Sequence, residues 1–161
     1  MRLFIAIRLS DEMKKALINC MHDLKKQGVE GNYVPAQNLH MTLAFIGEYD
    51  DPEKVKKVIK KVPMPEFRLS LSEKGNFGNI LWAGVKGNQK LKAYVKELRS
   101  ALDEEGIPYD RSSFVPHITL IRKASAKKPY QVRLGKAVMT VKGASLMKSE
   151  QKNGKVVYQE L

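Results

Sequence analysis

Two histidines in this chain are each followed, two positions later, by a threonine: His40-Met41-Thr42-Leu43 and His117-Ile118-Thr119-Leu120. The whole chain holds only three histidines and three threonines, so chance is a poor account of this pairing. On a strand, residues i and i+2 share a face, about 6.5–7 Å apart, so each motif presents an imidazole beside a hydroxyl. The alternate residues, Met41, Leu43 and Phe45 in one copy and Ile118 and Leu120 in the other, face the opposite way and anchor the strand in a core. Displacement at phosphorus needs a base on the incoming oxygen and an acid on the leaving one, on opposite sides. Histidine, with an unperturbed pKa near ~6.5, serves either role near neutral pH. Threonine hydroxyls donate to the non-bridging oxygens as their charge grows. One such motif alone reads as an ordinary polar pair on a strand, whereas two matched copies read as a site. The spacing does not say which histidine is acid and which is base.

A metal site fits less well. Two histidines lack the third and fourth ligands of a zinc site at a recognisable spacing, and Glu48 and Asp110, the acids within reach, carry no motif. The expected site is therefore metal-free, with no cofactor. The third histidine, His22, falls away from the apolar stripe of its predicted helix and reads as a surface residue.

The elements that hold the motifs follow from periodicity. Strands are expected at residues 2–8, 39–46, 66–75, 79–85 and 117–121, with one or two more in 131–148. Helices are expected at 11–27, 52–62 and 89–105. Their apolar stripes are Met13, Leu17, Cys20 and Leu24; Val55, Val58, Ile59 and Val62; and Leu91, Tyr94, Val95, Leu98 and Leu102. Ser10, Asp51-Pro52-Glu53 and Asn88 mark helix starts, and Gly28 and Gly106 mark ends. Asn153-Gly154 before Val156-Val157-Tyr158 is a hairpin signal. Early alternation of helices and strands, followed by several strands, predicts an α+β fold with mainly antiparallel sheets. The breaker-rich residues 73–79 are expected to separate two lobes.

Composition narrows the class. The 161 residues suit one domain of residues 1–161 with an ordinary core. A single cysteine, Cys20, excludes an internal disulfide and a cysteine-rich zinc site. No apolar run approaches a membrane span, and Leu3–Ile7 is too short for a signal-peptide core, so a cytoplasmic protein without membrane contact is expected. Lys and Arg number 29 against 17 Asp and Glu, a formal charge of +12 that favours a polyanionic partner such as nucleic acid. A monomer is the default.

The chain resembles the two-histidine phosphoesterases, in particular the bacterial and archaeal RNA 2′,3′-cyclic phosphodiesterases formerly called 2′-5′ RNA ligases. The resemblance runs over Arg2-Leu3-Phe4-Ile5-Ala6-Ile7, Asn38-Leu39-His40-Met41-Thr42-Leu43-Ala44-Phe45-Ile46-Gly47-Glu48, Leu81-Trp82-Ala83-Gly84-Val85 and Phe114-Val115-Pro116-His117-Ile118-Thr119-Leu120-Ile121-Arg122. It implies a bilobal α+β fold with two mainly antiparallel sheets, flanking helices, pseudo-twofold symmetry and a central cleft. It implies His40 as proton donor to the leaving 3′ oxygen, His117 as the base on water, and a 2′-phosphomonoester product. Thr42, Thr119 and Arg122 would bind the phosphate, and Phe45 is placed near the nucleobase.

Strict alternation points Arg122 and Phe45 away from their histidines. Arg122 needs a bulge or strand end to reach the cleft, and is otherwise a surface arginine. Phe45 reads by default as core packing, and Phe114 as structural. The implied partner is RNA with 2′,3′-cyclic phosphate ends, or a related nucleotide. Two other activities use the same site: 2′-5′ RNA ligation, and hydrolysis of a small cyclic nucleotide or an ADP-ribose cyclic phosphate. A non-catalytic RNA-binding module is the alternative of another class.

Overall fold

The computed structural model describes residues 1–86 and 89–161. Its elements run β1 (Arg2–Arg8), α1 (Asp11–Lys26), β2 (Glu30–Tyr33), a 3-10 turn (Ala36–Asn38), β3 (His40–Glu48), α2 (Pro52–Lys61), β4 (Phe67–Phe77), β5 (Ile80–Lys86), α3 (Gln89–Glu104), β6 (His117–Ser125), β7 (Val138–Val141), β8 (Ser145–Lys152) and β9 (Lys155–Glu160).

The helices begin where local chemistry says they should. The Ser10 hydroxyl accepts from Met13 N at 3.2 Å, and Asp11 and Glu12 occupy the positive end of α1. Asp51 caps α2 by accepting from Lys54 N at 3.2 Å, with Pro52 in the first turn. All five predicted stripe residues of α3 are buried. Asn88, the expected cap of α3, lies outside the described residues.

The strands pair into two antiparallel sheets, ordered β3-β1-β8-β9 and β2-β6-β5-β4-β7. One buried cluster gathers Leu3, Ile5 and Ile7 of β1 with the stripes of all three helices and with Leu81 and Ile118 of the second sheet. The opposite face of β1 carries Phe4 and Ala6, which pack with Met147 and Tyr158. That face turns toward the histidines.

Residues 73–79 do not divide the chain. β4 continues to Phe77 and turns through Gly78 directly into β5, pairing Phe77 with Ile80. The glycines there serve a hairpin, and the chain instead crosses between the sheets several times. The segment 131–148 holds two strand regions, β7 and the start of β8. Asn153 and Gly154 form the β8–β9 turn with φ of 52° and 76°, the left-handed pair that a two-residue hairpin requires.

Sequence periodicity missed β2. Its residues Glu30-Gly31-Asn32-Tyr33 show no apolar alternation, and the strand exists because β6 offers it an edge. Gly31 sits at φ 144°, where a Cβ would fall 2.7 Å from Ile121 Cγ2 and 2.9 Å from the carbonyl oxygens of Arg122 and Lys123.

Candidate active site

Each histidine is the first residue of its strand, and each ring is oriented by the carbonyl two residues earlier. His40 Nδ1 donates to Asn38 O at 2.7 Å and His117 Nδ1 to Val115 O at 2.6 Å. A carbonyl only accepts, so the proton of each neutral ring belongs on Nδ1 and Nε2 is left basic. At His40 this makes the Thr42 hydroxyl the donor in the 2.8 Å contact with Nε2. Asn38 is itself buried, and its side-chain amide donates to Val156 O of β9 at 3.0 Å, so the carbonyl that orients His40 is held by the strand across the site.

Both rings stand in aromatic collars. Phe4 and Tyr158 lie 5.0 and 5.2 Å from the His40 ring; Phe77 and Trp82 lie 5.1 and 5.6 Å from the His117 ring. The collars come from β1, β9, β4 and β5, distant in sequence from the motifs. Sequence reasoning missed them, because an isolated Phe or Tyr in a strand carries no local signal of what it will face.

One cavity of about 160 Å³ is lined by His40, Thr42, His117, Thr119 and Arg122, together with Val34, Asn38 and Tyr158. This is ample room for a phosphate group. No carboxylate is among these lining residues, and the guanidinium makes the cavity suited to an anion. Burial is the main cause that lowers the His40 pKa from its ordinary 6.5; the bond to Asn38 opposes this, and Arg122 and His117 add to it.

Arg122 reaches the cavity by a bulge. In the β5–β6 ladder Thr119 pairs with Trp82 and Ile121 with Leu81, so Leu120 is skipped and the alternation reverses beyond it. The same event occurs in β3: Thr42 pairs with Ala6 and Ala44 with Ile5, skipping Leu43. Phe45 consequently pairs with Phe4, and directly opposed residues share a face. The core packing expected for Phe45 is therefore wrong. It lies on the histidine face of its sheet, 36% exposed, with the Arg2 guanidinium 5.4 Å from its ring centroid, outside the set that lines the cavity.

The remaining candidates fall elsewhere. Glu48 is exposed at the far end of β3, 3.3 Å from the terminal amine of Met1. Asp110 accepts from the Ser112 N–H and hydroxyl, at 2.9 and 2.7 Å. His22 is exposed on α1, and Phe114 packs half-buried against the core. Among the described residues no helix is long and apolar enough to cross a membrane.

A model of the 2′-5′ RNA ligase superfamily matches residues 12–153. The chain is 32% identical over 132 residues to the RNA 2′,3′-cyclic phosphodiesterase of Thermotoga maritima, covering 76% of this chain and 70% of that one. It is 33% identical over 129 residues to the Escherichia coli RNA 2′,3′-cyclic phosphodiesterase, covering 77% and 73%. Its fold superposes on the crystal structure of Escherichia coli LigT complexed with 3′-AMP with a TM-score of 0.86 and 29% identity, covering 99% of this chain and 94% of that one.

Proposed function

This chain belongs to the 2′-5′ RNA ligase superfamily, and from that premise we propose that it is an RNA 2′,3′-cyclic phosphodiesterase, opening terminal cyclic phosphates to 2′-phosphomonoesters. The observation that carries the reading is the pair of imidazoles, each held by the same Nδ1-to-carbonyl bond, that line one cavity with two threonines and an arginine.

The phosphate of the substrate sits between the rings, its non-bridging oxygens taken by the Thr42 and Thr119 hydroxyls and by Arg122. His117 Nε2 removes a proton from water as the water oxygen bonds to phosphorus. The P–O3′ bond breaks on the opposite side, and His40 Nε2 delivers a proton to O3′. The assignment of His40 as the acid and His117 as the base follows the family resemblance, and the Arg122 guanidinium adds a fixed positive charge beside the phosphate. The residues that line the cavity supply both proton-transfer groups, and no metal is required.

The groups lining the cavity are those that would meet a phosphate, so selection between an RNA end and a mononucleotide is assigned to the surfaces around it. Escherichia coli LigT has been crystallised with 3′-AMP, ATP and NADP+, which keeps related nucleotides within the substrate class. The chain is read as one bilobal unit over residues 1–161, working as a monomer in the cytoplasm; its lone cysteine, Cys20, is buried and unpaired.

The test is turnover of a synthetic RNA ending in a 2′,3′-cyclic phosphate, in excess EDTA, with the product isomer identified. Turnover to the 2′-phosphate is expected, with losses of about 10²–10⁴-fold in His40→Ala and His117→Ala. A 3′-phosphate product, or either variant at wild-type rate, would reject the mechanism. A strong preference for cyclic mononucleotides would move the substrate to that class.

A further inference from the structure

Leu43 and Leu120, the residues skipped in the β1–β3 and β5–β6 ladders, each turn the carbonyl to a partner outside those ladders. Leu120 O accepts a backbone bond from Val34 N at 2.9 Å. The equivalent position in β3 is handled differently. β3 is the edge strand of its sheet, so no neighbouring strand supplies an N–H there. Leu43 O instead accepts from Arg99 Nη2 at 3.3 Å, and Phe45 O, two residues on, accepts from Asp110 N at 2.8 Å.

Arg99 projects from α3 and is half-buried. Its other terminal nitrogen, Nη1, donates to Ser112 O at 2.7 Å, and its guanidinium lies against the rings of Tyr109 and Phe114, 5.5 and 5.9 Å from their centroids. Ser112 and Phe114 belong to the segment that leads directly to Val115, the carbonyl that orients His117. One planar cation thus bridges the bulge between Thr42 and Phe45 to the approach to the second histidine.

We infer that Arg99 is a positioning residue for both motifs: its fork fixes the distance between the strand of His40 and Thr42 and the segment that sets His117. It touches no reacting atom and lies outside the cavity lining. Its effect is on whether one phosphate can meet both rings at once. Lysine cannot replace it, because an ammonium lacks the rigid fork that holds two carbonyls in fixed directions. The inference rests on the phosphodiesterase reading for its kinetic readout, but the geometry can be tested without turnover.

The experiment compares wild type, Arg99→Lys and Arg99→Ala, each well below its own melting temperature. The first readout is kcat and KM on RNA ending in a 2′,3′-cyclic phosphate. The second follows the Hε1 resonances of His40 and His117 by NMR during titration with inorganic phosphate. In wild type, phosphate moves both resonances along one binding curve. In Arg99→Ala, kcat falls on the order of 10–10²-fold, and the two resonances no longer share one curve. Arg99→Lys keeps the charge and stem, remains folded, and shows the same decoupling in milder form; it carries the test if Arg99→Ala does not fold. A folded Arg99→Ala, or failing that Arg99→Lys, with wild-type kcat and a common binding curve overturns the inference, even if its melting temperature drops. If wild type itself turns over no cyclic phosphate, the phosphodiesterase reading falls while the phosphate titration still decides the role of Arg99.

Discussion

Phe45 and Arg122 occupy the same place in two strands. Each is the third residue after a motif threonine, and each is returned to its histidine's face because a leucine, Leu43 or Leu120, is skipped in the ladder. The two halves of the site are therefore alike in backbone and differ in what they present: an aromatic ring on one side, a guanidinium on the other. The shared bulge shifts the parity of each strand, so that the residue three positions after the threonine, rather than two, is the next to face the cleft.

Arg122 supplies the one fixed positive charge among the residues lining the cavity. Its removal in Arg122→Ala is expected to lower kcat by roughly 10²-fold, as for loss of a single donor to a developing oxyanion. Arg122→Lys should recover only part of this, because the ammonium offers a point charge in place of a planar fork. Steady-state kinetics on cyclic-phosphate RNA checks it; equal rates for lysine and arginine would show that charge alone suffices.

The half-buried His40 ring links stability to pH. Its folded pKa lies below the ordinary 6.5, chiefly through burial, so between those two values the unfolded chain binds a proton that the folded chain refuses. Stability is then full above about pH 6.5 and declines as the pH falls toward the folded pKa. In His40→Asn that contribution disappears, and the difference in Tm between about pH 7.5 and pH 5.5 should shrink. Thermal melts across this range decide the point: parallel curves for the two proteins would mean that His40 does not titrate differently on folding.

Gly31 offers a stability test of the strand that sequence patterning did not reveal. At φ 144°, with Arg122 O and Lys123 O only 2.9 Å from where a Cβ would sit, Gly31→Ala must distort β2 or push it off β6. The expected cost is about 1–3 kcal/mol in urea denaturation. Asn32 pairs with Arg122, so activity should fall together with stability. An alanine variant as stable as wild type would show that β2 accommodates the change.

What the chain discloses before folding depends on the range of the information. α1 and α2 are legible because caps and apolar stripes act within a few residues, α3 because of its stripe, and the β8–β9 hairpin because Asn153-Gly154 meets a local φ requirement. His40, Thr42, His117 and Thr119 are legible because their chemistry is repeated. The face of Phe45 is not, since it depends on register with β1, a partner distant in sequence. Arg122 is legible only through resemblance, for the same reason in β6. β2 is held by β6 rather than by its own pattern, and the aromatic collars assemble from four separate strands. The breaker cluster at 73–79 shows the converse: its glycines signal a turn, but a turn inside a sheet and one between lobes carry the same local chemistry.

Phe45 tests the region just beyond the phosphate cavity. It is exposed on the histidine face, and its ring already accepts a cation, Arg2, at 5.4 Å. A base stacked on that ring would gain about 1–3 kcal/mol, which corresponds to roughly 5–150-fold in affinity. If Phe45 carries the nucleobase, Phe45→Ala should raise KM for cyclic-phosphate RNA within that range while leaving kcat near wild type, because the histidines and Arg122 keep their places. Phe45→Tyr or Phe45→Trp should restore binding. Inorganic phosphate should inhibit wild type and Phe45→Ala equally, since it occupies only the cavity. An alanine variant with unchanged KM and unchanged phosphate inhibition would place the base elsewhere. A fall in kcat with weaker phosphate inhibition would instead assign Phe45 to holding β3 against Phe4, and through it the His40 ring.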